Sequence, residues 1–392
     1  MQRLQGAIQR YDWGTIEAIP DLLGRPADGR PFAEYWLGAH SSAPAELDGQ
    51  RLDDYLREQP DAIGAPNRAR FGDQLPYLVK VLSARHALSL QAHPSREQAE
   101  DGYAREEAAG VALDAPERTY RDSWPKPEIL IALDEFHTLS GFRDPRHTDA
   151  LFTGLGVAEQ LASVIGPLTE RRGAAALAEV FLDVLSLDGE RARLSELVCA
   201  AAMQHKDDDG ELGEFARTVI ELDEVFPSDP GILAALLLNR VVLQPGEAVF
   251  VRAGQMHAHL RGTGVEIMAN SDNVIRGGLT AKHVDVEELI KVVGFEAEIP
   301  QITRPNAIAP GIEHYPTDCP EFDVWRITGS TGEALPGASS ARVLLVVDGS
   351  VTLSGPDGNL TLNRGEAAFL AADEVAFHHG SGTSFLTASG VR

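Results

Sequence analysis

Four short stretches of this chain set metal-ligating or acid–base side chains at close spacing. Gln91 and His93 stand in "SLQAHP", Lys126 and Glu128 in "PKPE", and His257 and His259 in "GQMHAHL". The fourth, "GVEIMANSDNVIRGGLTAKHVDV", carries Glu266, Asp272, Arg276 and Lys282. A spacing of two puts both members of a pair on one face of a β-strand. Imidazole with carboxylate suits a divalent cation, and an amide oxygen can complete the set. Singly, each stretch is most simply a polar strand face or a rim charge that meets water. Four such faces in one barrel would converge, because alternate residues of different strands point into its interior.

Two ligand sets fit these residues. One takes His257, His259 and Glu266 from a single hairpin, similar to the H-x-H…E pattern that binds iron in cupin oxygenases. There the glutamate usually follows the second histidine after three or four residues, whereas here six intervene. The other set takes Gln91, His93, Glu128 and His257 from three separate strands. Spacing leaves both open.

The elements that must position these residues are short strands. "PYLVKVL", "ALSLQAH" and "EILIAL" alternate apolar and polar residues and are bounded by Gly and Pro. From about residue 148 to 238 the texture turns Ala/Leu/Glu-rich. "GAAALAEVFLDVLSL" and "ERARLSELVCAAAMQ" have helical period, and "SDPGILAALLLN" opens with a capping residue and proline. Strand texture then resumes at Val241. Within it "LQPGEAVFVRAG" (243–254) aligns without gaps to "LNRGEAAFLAAD" (362–373). Two copies predict two related β-barrels, the first split by the helical segment. The expected fold is mainly β: a jelly-roll or cupin-type domain (1–147 with 239–296), a helical insertion (148–238) and a second cupin-like domain (297–392).

Composition narrows the function classes. Of 392 residues, 43% are hydrophobic and 24% charged, ordinary for a globular protein. A net charge of −25 argues against a nucleic-acid surface and requires a local basic cluster for any anionic ligand. Lysine is scarce: Lys80 leads into the first stretch, and Lys126 and Lys282 fall inside the motifs. No apolar run is long enough to span a membrane, and the start "MQRLQGAIQRYDWG" lacks a secretory h-region. With Cys199 and Cys319 the only cysteines, a reducing cytoplasm is expected.

Taken in order, "YDWG", "EYWLGAHSSAP", "LPYLVKVLS", "SLQAHP", "KPEI", "PGEAVFVRAGQMHAHL" and "EIMANSDNVIRGGLTAKHVDV" closely resemble the type I phosphomannose isomerases. The resemblance implies a zinc enzyme that interconverts mannose 6-phosphate and fructose 6-phosphate. It puts the zinc ligands on Gln91, His93, Glu128 and His257, the essential arginine on Arg276, and the lysine two residues before the glutamate ligand on Lys126. Three positions depart from the family pattern. "YRDSWPKPE" has Trp124 and Pro125 where relatives have Asn and His, so a ring-opening role for that histidine does not carry over. His259 stands where relatives have Tyr.

Such an isomerisation needs a base, an electrophile for the enediolate oxyanion and a phosphate clamp. Lys126 ranks first as base, since a metal beside it would favour the neutral amine; Glu266 and Asp272 are rivals. Arg276 and Lys282 are the phosphate candidates, and His259 lines the substrate site without binding metal. An iron oxygenase and a non-catalytic sugar-binding cupin are the alternative readings. In the second repeat, Ala376 aligns with His257 and His378 with His259, so one zinc per chain is expected, held in the first barrel.

Overall fold

The alternating runs pair in one antiparallel sheet system of 11 strands. The structure is a computed structural model and describes residues 1–188 and 191–391. Its longest strand, His257–Ala269, organises the rest. From Gly262 to Ala269 it runs between Tyr77–Ala84 and Glu128–Ala132. From His257 to Arg261 it pairs instead with Phe136–Phe142, and His257 faces Gln91 of the two-residue strand Gln91–Ala92. Ile275–Arg276 adds the next strand, with Arg276 opposite Gln91.

The expected hairpin between His259 and Glu266 is therefore a single strand, bent in the middle. Seven residues of straight strand would span about 23 Å, yet His259 Nε2 lies 3.3 Å from Glu266 Oε1. The bend is made at Gly262, where φ is +121° and the register slips beside it. A Cβ at this position would sit 2.8 Å from Phe136 Cα and 2.9 Å from the Glu135 carbonyl. Only glycine fits.

Each site strand has one apolar and one polar face. Val79, Val81, Ile129, Ile131, Val265 and Ile267 are buried in a core shared with Val343, Leu345, Phe369 and Phe385 of a second, nine-stranded sheet. Around the bend, Leu90, Ala92, Leu139, Ala258, Leu260 and Ile275 pack instead on the helices, against Phe152, Val180, Phe181 and Val219 among others. Both supports leave the opposite face free for polar groups.

The helical block runs from Pro145–Gly154 to Gly231–Ala235. Its first helix starts where Asp144 accepts the N–H groups of Arg146 and His147 and Pro145 takes the first turn. Ala174–Leu185 and Gly210–Val225 follow the helical period. The helix expected over 190–204 is a 3-10 turn, Arg191–Arg193, leading into Leu194–His205; Glu190 lies outside the described residues. With Arg96–Ala109 added, helix is nearly as abundant as strand, so the chain as a whole is mixed rather than mainly β. No described helix is long and apolar enough to cross a membrane.

The sequence repeat is also a structural one. Gly246 and Gly365 take φ of +85° and +82° in equivalent turns before Ala248–Val251 and Ala367–Leu370. In each turn the following glutamate accepts a backbone N–H, Gln244 to Glu247 and Asn363 to Glu366. The copies differ where chemistry would sit. Ala376 is fully buried, and His378 is engaged by the Gly329 carbonyl and the Ser384 hydroxyl. The sheet of the second copy also takes in the chain's first strand: Gln2–Gln5 pairs with Ala367–Leu370.

Because the bend depends on a backbone conformation closed to other residues, Gly262→Val should cost about 3 kcal/mol or more. Urea denaturation would read this as a lower midpoint with an unchanged slope.

Candidate active site

The polar faces meet in a cavity of about 350 Å³. Gln91, Lys126, Glu128, His257, His259, Glu266, Asp272, Arg276 and Lys282 all line it. His93 lies at its floor, fully buried. All ten residues expected from the sequence are thus brought together.

At the floor, His93, Glu128 and His257 present ligand atoms within 4.8 Å of one another. His93 donates its Nδ1–H to the Asn273 carbonyl at 2.8 Å, which leaves Nε2 as a bare lone pair. That nitrogen is buried, has no hydrogen-bond donor, and faces Glu128 Oε1 at 3.3 Å. Burial holds the imidazole down to about 4, so it is neutral at pH 7. His257 Nε2 approaches the other Glu128 oxygen at 3.4 Å, with its Nδ1 turned to the Gln255 carbonyl. Lone pairs that crowd together without a shared proton repel, unless a cation sits among them. The donor set fits a divalent metal. Gln91 reaches the same cavity from the strand position opposite His257.

Two lysines stand beside this cluster. Lys126 Nζ is 2.9 Å from Glu128 Oε1. Burial, the largest single influence, would push the Glu128 carboxyl up, but Lys126, His93 and His257 together hold the group well below the usual range. Lys80 bridges Glu34 at 3.4 Å and Glu266 at 3.2 Å. Burial opposes its charge, yet these carboxylates raise its pKa, and Lys80 together with His259 brings Glu266 down to about 2 against burial. His259 completes the chain with Nε2 to Glu266 and Nδ1 beside the Thr138 hydroxyl. His259 and Glu266 are therefore spent on each other and on Lys80, outside the three-residue cluster.

The rim is different. Arg121, Arg276 and Lys282 line the mouth, and none forms an ion pair with a described carboxylate. Burial and then the Arg121 charge lower the Arg276 pKa; burial, Arg276 and Arg121 lower that of Lys282. Asp272, the one rim carboxylate, is lowered chiefly by its contact with His40 Nε2 at 3.3 Å. At the floor carboxylates outnumber ammonium groups, and at the rim three cations face a single carboxylate.

Sequence reasoning missed several residues here. Glu34, Trp36 and Lys80 line the cavity, and Trp36 donates its indole N–H to Glu34. For Glu34 and Lys80 the signal was a charge at the polar phase of an otherwise apolar strand. Arg121 was passed over because it lies in irregular chain. Asn273 is fully buried and joins the parts. Its side-chain oxygen accepts the Arg121 N–H, its amide donates to the Asp122 and Trp124 carbonyls, and its own carbonyl holds His93. Trp124 packs against Phe71 and Arg96, away from the cavity. A larger cleft of about 630 Å³ lies between sheet and helices, but Arg240 and Arg261 share Glu221 there, and among the described residues no metal-ligand set lines it.

A buried His–Glu–His centre under a cation-lined mouth, at the junction of bent antiparallel sheets, defines a metal-dependent enzyme for a small anionic substrate. Residues 1–145 match the model of the phosphomannose isomerase type I catalytic domain. The mannose-6-phosphate isomerase of Escherichia coli (strain K12) is 35% identical over 382 residues, 95% of each chain. The crystal structure of the apo mannose 6-phosphate isomerase from Salmonella typhimurium superposes with a TM-score of 0.90 at 33% identity, covering 99% of both chains. A zinc-bound crystal structure of a mannose 6-phosphate isomerase gives 0.89 at 33% identity over the same share. The chain belongs to the type I phosphomannose isomerase family.

The Asn273 side chain pins the loop whose backbone carbonyl holds His93, so Asn273→Ala, which keeps that carbonyl but loosens its anchorage to residues 121–124, should weaken metal binding about tenfold. Competition of the purified variant with a calibrated chelator measures this without recourse to activity.

Proposed function

We propose that this chain is a zinc-dependent aldose–ketose isomerase interconverting mannose 6-phosphate and fructose 6-phosphate. The observation that carries the reading is the polarity of the cavity, a floor that calls for a cation and a mouth that calls for an anion. A phosphosugar with its reacting carbons down and its phosphate out meets both. Gln91, His93, Glu128 and His257 would hold the zinc. Bound there, zinc would take up the Glu128 charge, free Lys126 from that carboxylate, and act as a Lewis acid toward the sugar oxygens.

The protein's own groups divide the remaining work. Lys126 takes the proton from C2 and returns it to C1, since it is the amine next to the floor. Glu266 and Asp272 stay ionised in this scheme, Glu266 through Lys80 and Asp272 through His40. Arg276 and Lys282 bind the phosphate, and the planar fork of Arg276 suits two of its oxygens. His259 keeps Glu266 oriented and faces the substrate. The walls contributed by Trp36, Leu82 and Leu88 limit water around the enediolate.

This reading includes the architecture. Residues 1–147 and 239–296 form the metal-binding cupin domain, 148–238 the helical insertion, and 297–392 a cupin-like domain with a structural role and no metal. The unpaired thiols of Cys199 and Cys319 fit a cytoplasmic setting. An oxygenase using His257, His259 and Glu266 fits less well, because His259 and Glu266 are already paired.

A coupled assay for fructose 6-phosphate should show turnover that exhaustive chelation abolishes and added zinc restores. Glu128→Gln, which removes the only anionic ligand, should lose most of the bound metal and the activity with it. Elemental analysis should give one zinc per chain, falling close to zero in His93→Ala. Two equivalents, or one that survives His93→Ala, would place a metal in the second repeat.

A further inference from the structure

We propose that Arg121 is the third arm of the phosphate site, closing on the phosphate group beside Arg276 and Lys282. The inference rests on the phosphosugar reading and extends it to a residue outside every regular element. Arg121 lines the same cavity mouth as the other two cations, and its guanidinium has no hydrogen bond or ion pair to any described residue. Its backbone, by contrast, is fixed: the Arg121 and Asp122 N–H groups both donate to Asn273 Oδ1, at 2.8 and 3.3 Å. A pinned backbone with a free, exposed side chain suits a group that must swing onto a ligand. Arg121 also weighs on both neighbours, lowering the pKa of Arg276 and Lys282 after burial has done so. Three unneutralised cations in one mouth repel one another, and a dianion among them reverses the sign of each term. The guanidinium supplies paired donors that a phosphate accepts.

A rival place for the side chain exists. Arg121 also borders a neighbouring hollow lined by Asp53, Asp73, Asp122 and Asp272, where it would only help keep Asp272 ionised. The test separates the two with zinc-loaded protein and inorganic phosphate, used both as a competitive inhibitor and as a calorimetric titrant. For Arg121→Ala we expect KM for mannose 6-phosphate and the inhibition constant for phosphate to rise together, about tenfold or more, the loss of one charge-assisted hydrogen bond. Zinc content should be unchanged and kcat should fall far less than KM rises. Arg121→Lys should recover part of the phosphate affinity. Phosphate binding within twofold of wild type in Arg121→Ala overturns the proposal, as does a shifted pH profile with unaltered phosphate affinity. Absence of turnover in the wild type would count instead against the isomerase reading, and the calorimetric titration would still decide the role of Arg121.

Discussion

The floor of the cavity holds more buried carboxylate than buried ammonium, and the rest of the structure is arranged around that imbalance. Glu34, Glu128 and Glu266 face only Lys80 and Lys126, while the two floor imidazoles turn lone pairs rather than protons toward Glu128. Charges withdrawn from water in this way are costly unless paired and hydrogen-bonded. One positive charge is missing, and a divalent ion supplies it. Every supporting feature holds the donors rigid against their mutual repulsion. The apolar backs of the strands are packed against a second sheet and a helical block, and Asn273 locks the His93 tautomer from behind.

Separating charge along the cavity also gives it direction. The rim is net positive where the floor is net negative, and Asp272 is turned aside by His40. A ligand that is anionic at one end and rich in hydroxyls at the other can enter in one orientation only. Net protein charge plays no part in this: a chain at −25 still gathers three unpaired cations where one ligand group will meet them.

Much of this was legible in the sequence because strand periodicity and chemistry coincide. Gln91 with His93 and Lys126 with Glu128 could be paired from their spacing, although His93 and Lys126 stand just outside the strands Gln91–Ala92 and Glu128–Ala132, and the repeated Gly-Glu turn announced a second copy of the sheet. The bend was not legible. His257, His259 and Glu266 read as a hairpin, because nothing in a string of residues says that one glycine at positive φ will turn a continuous strand by enough to bring positions seven apart into contact. Arg121 and Asn273 escaped for a related reason. Both act through irregular chain, where no period marks a face, and the value of Asn273 lies in partners from 121 to 124 and at 93. The helical share was underweighted because strand motifs carried the chemistry and drew the reading.

The pairing of Gln2–Gln5 with Ala367–Leu370 has a consequence for synthesis. During translation the first strand leaves the ribosome long before its neighbour exists, and the core between the two sheets cannot close until nearly the whole chain has emerged. Val79, Val81, Ile129 and Ile131 must wait, uncovered, for Val343, Leu345, Phe369 and Phe385. Contacts so distant in sequence form slowly, and the uncovered sheet is open to association with other chains meanwhile. Closing that core is therefore a late step of folding, and the waiting sheet is the surface through which the chain is most open to misassociation.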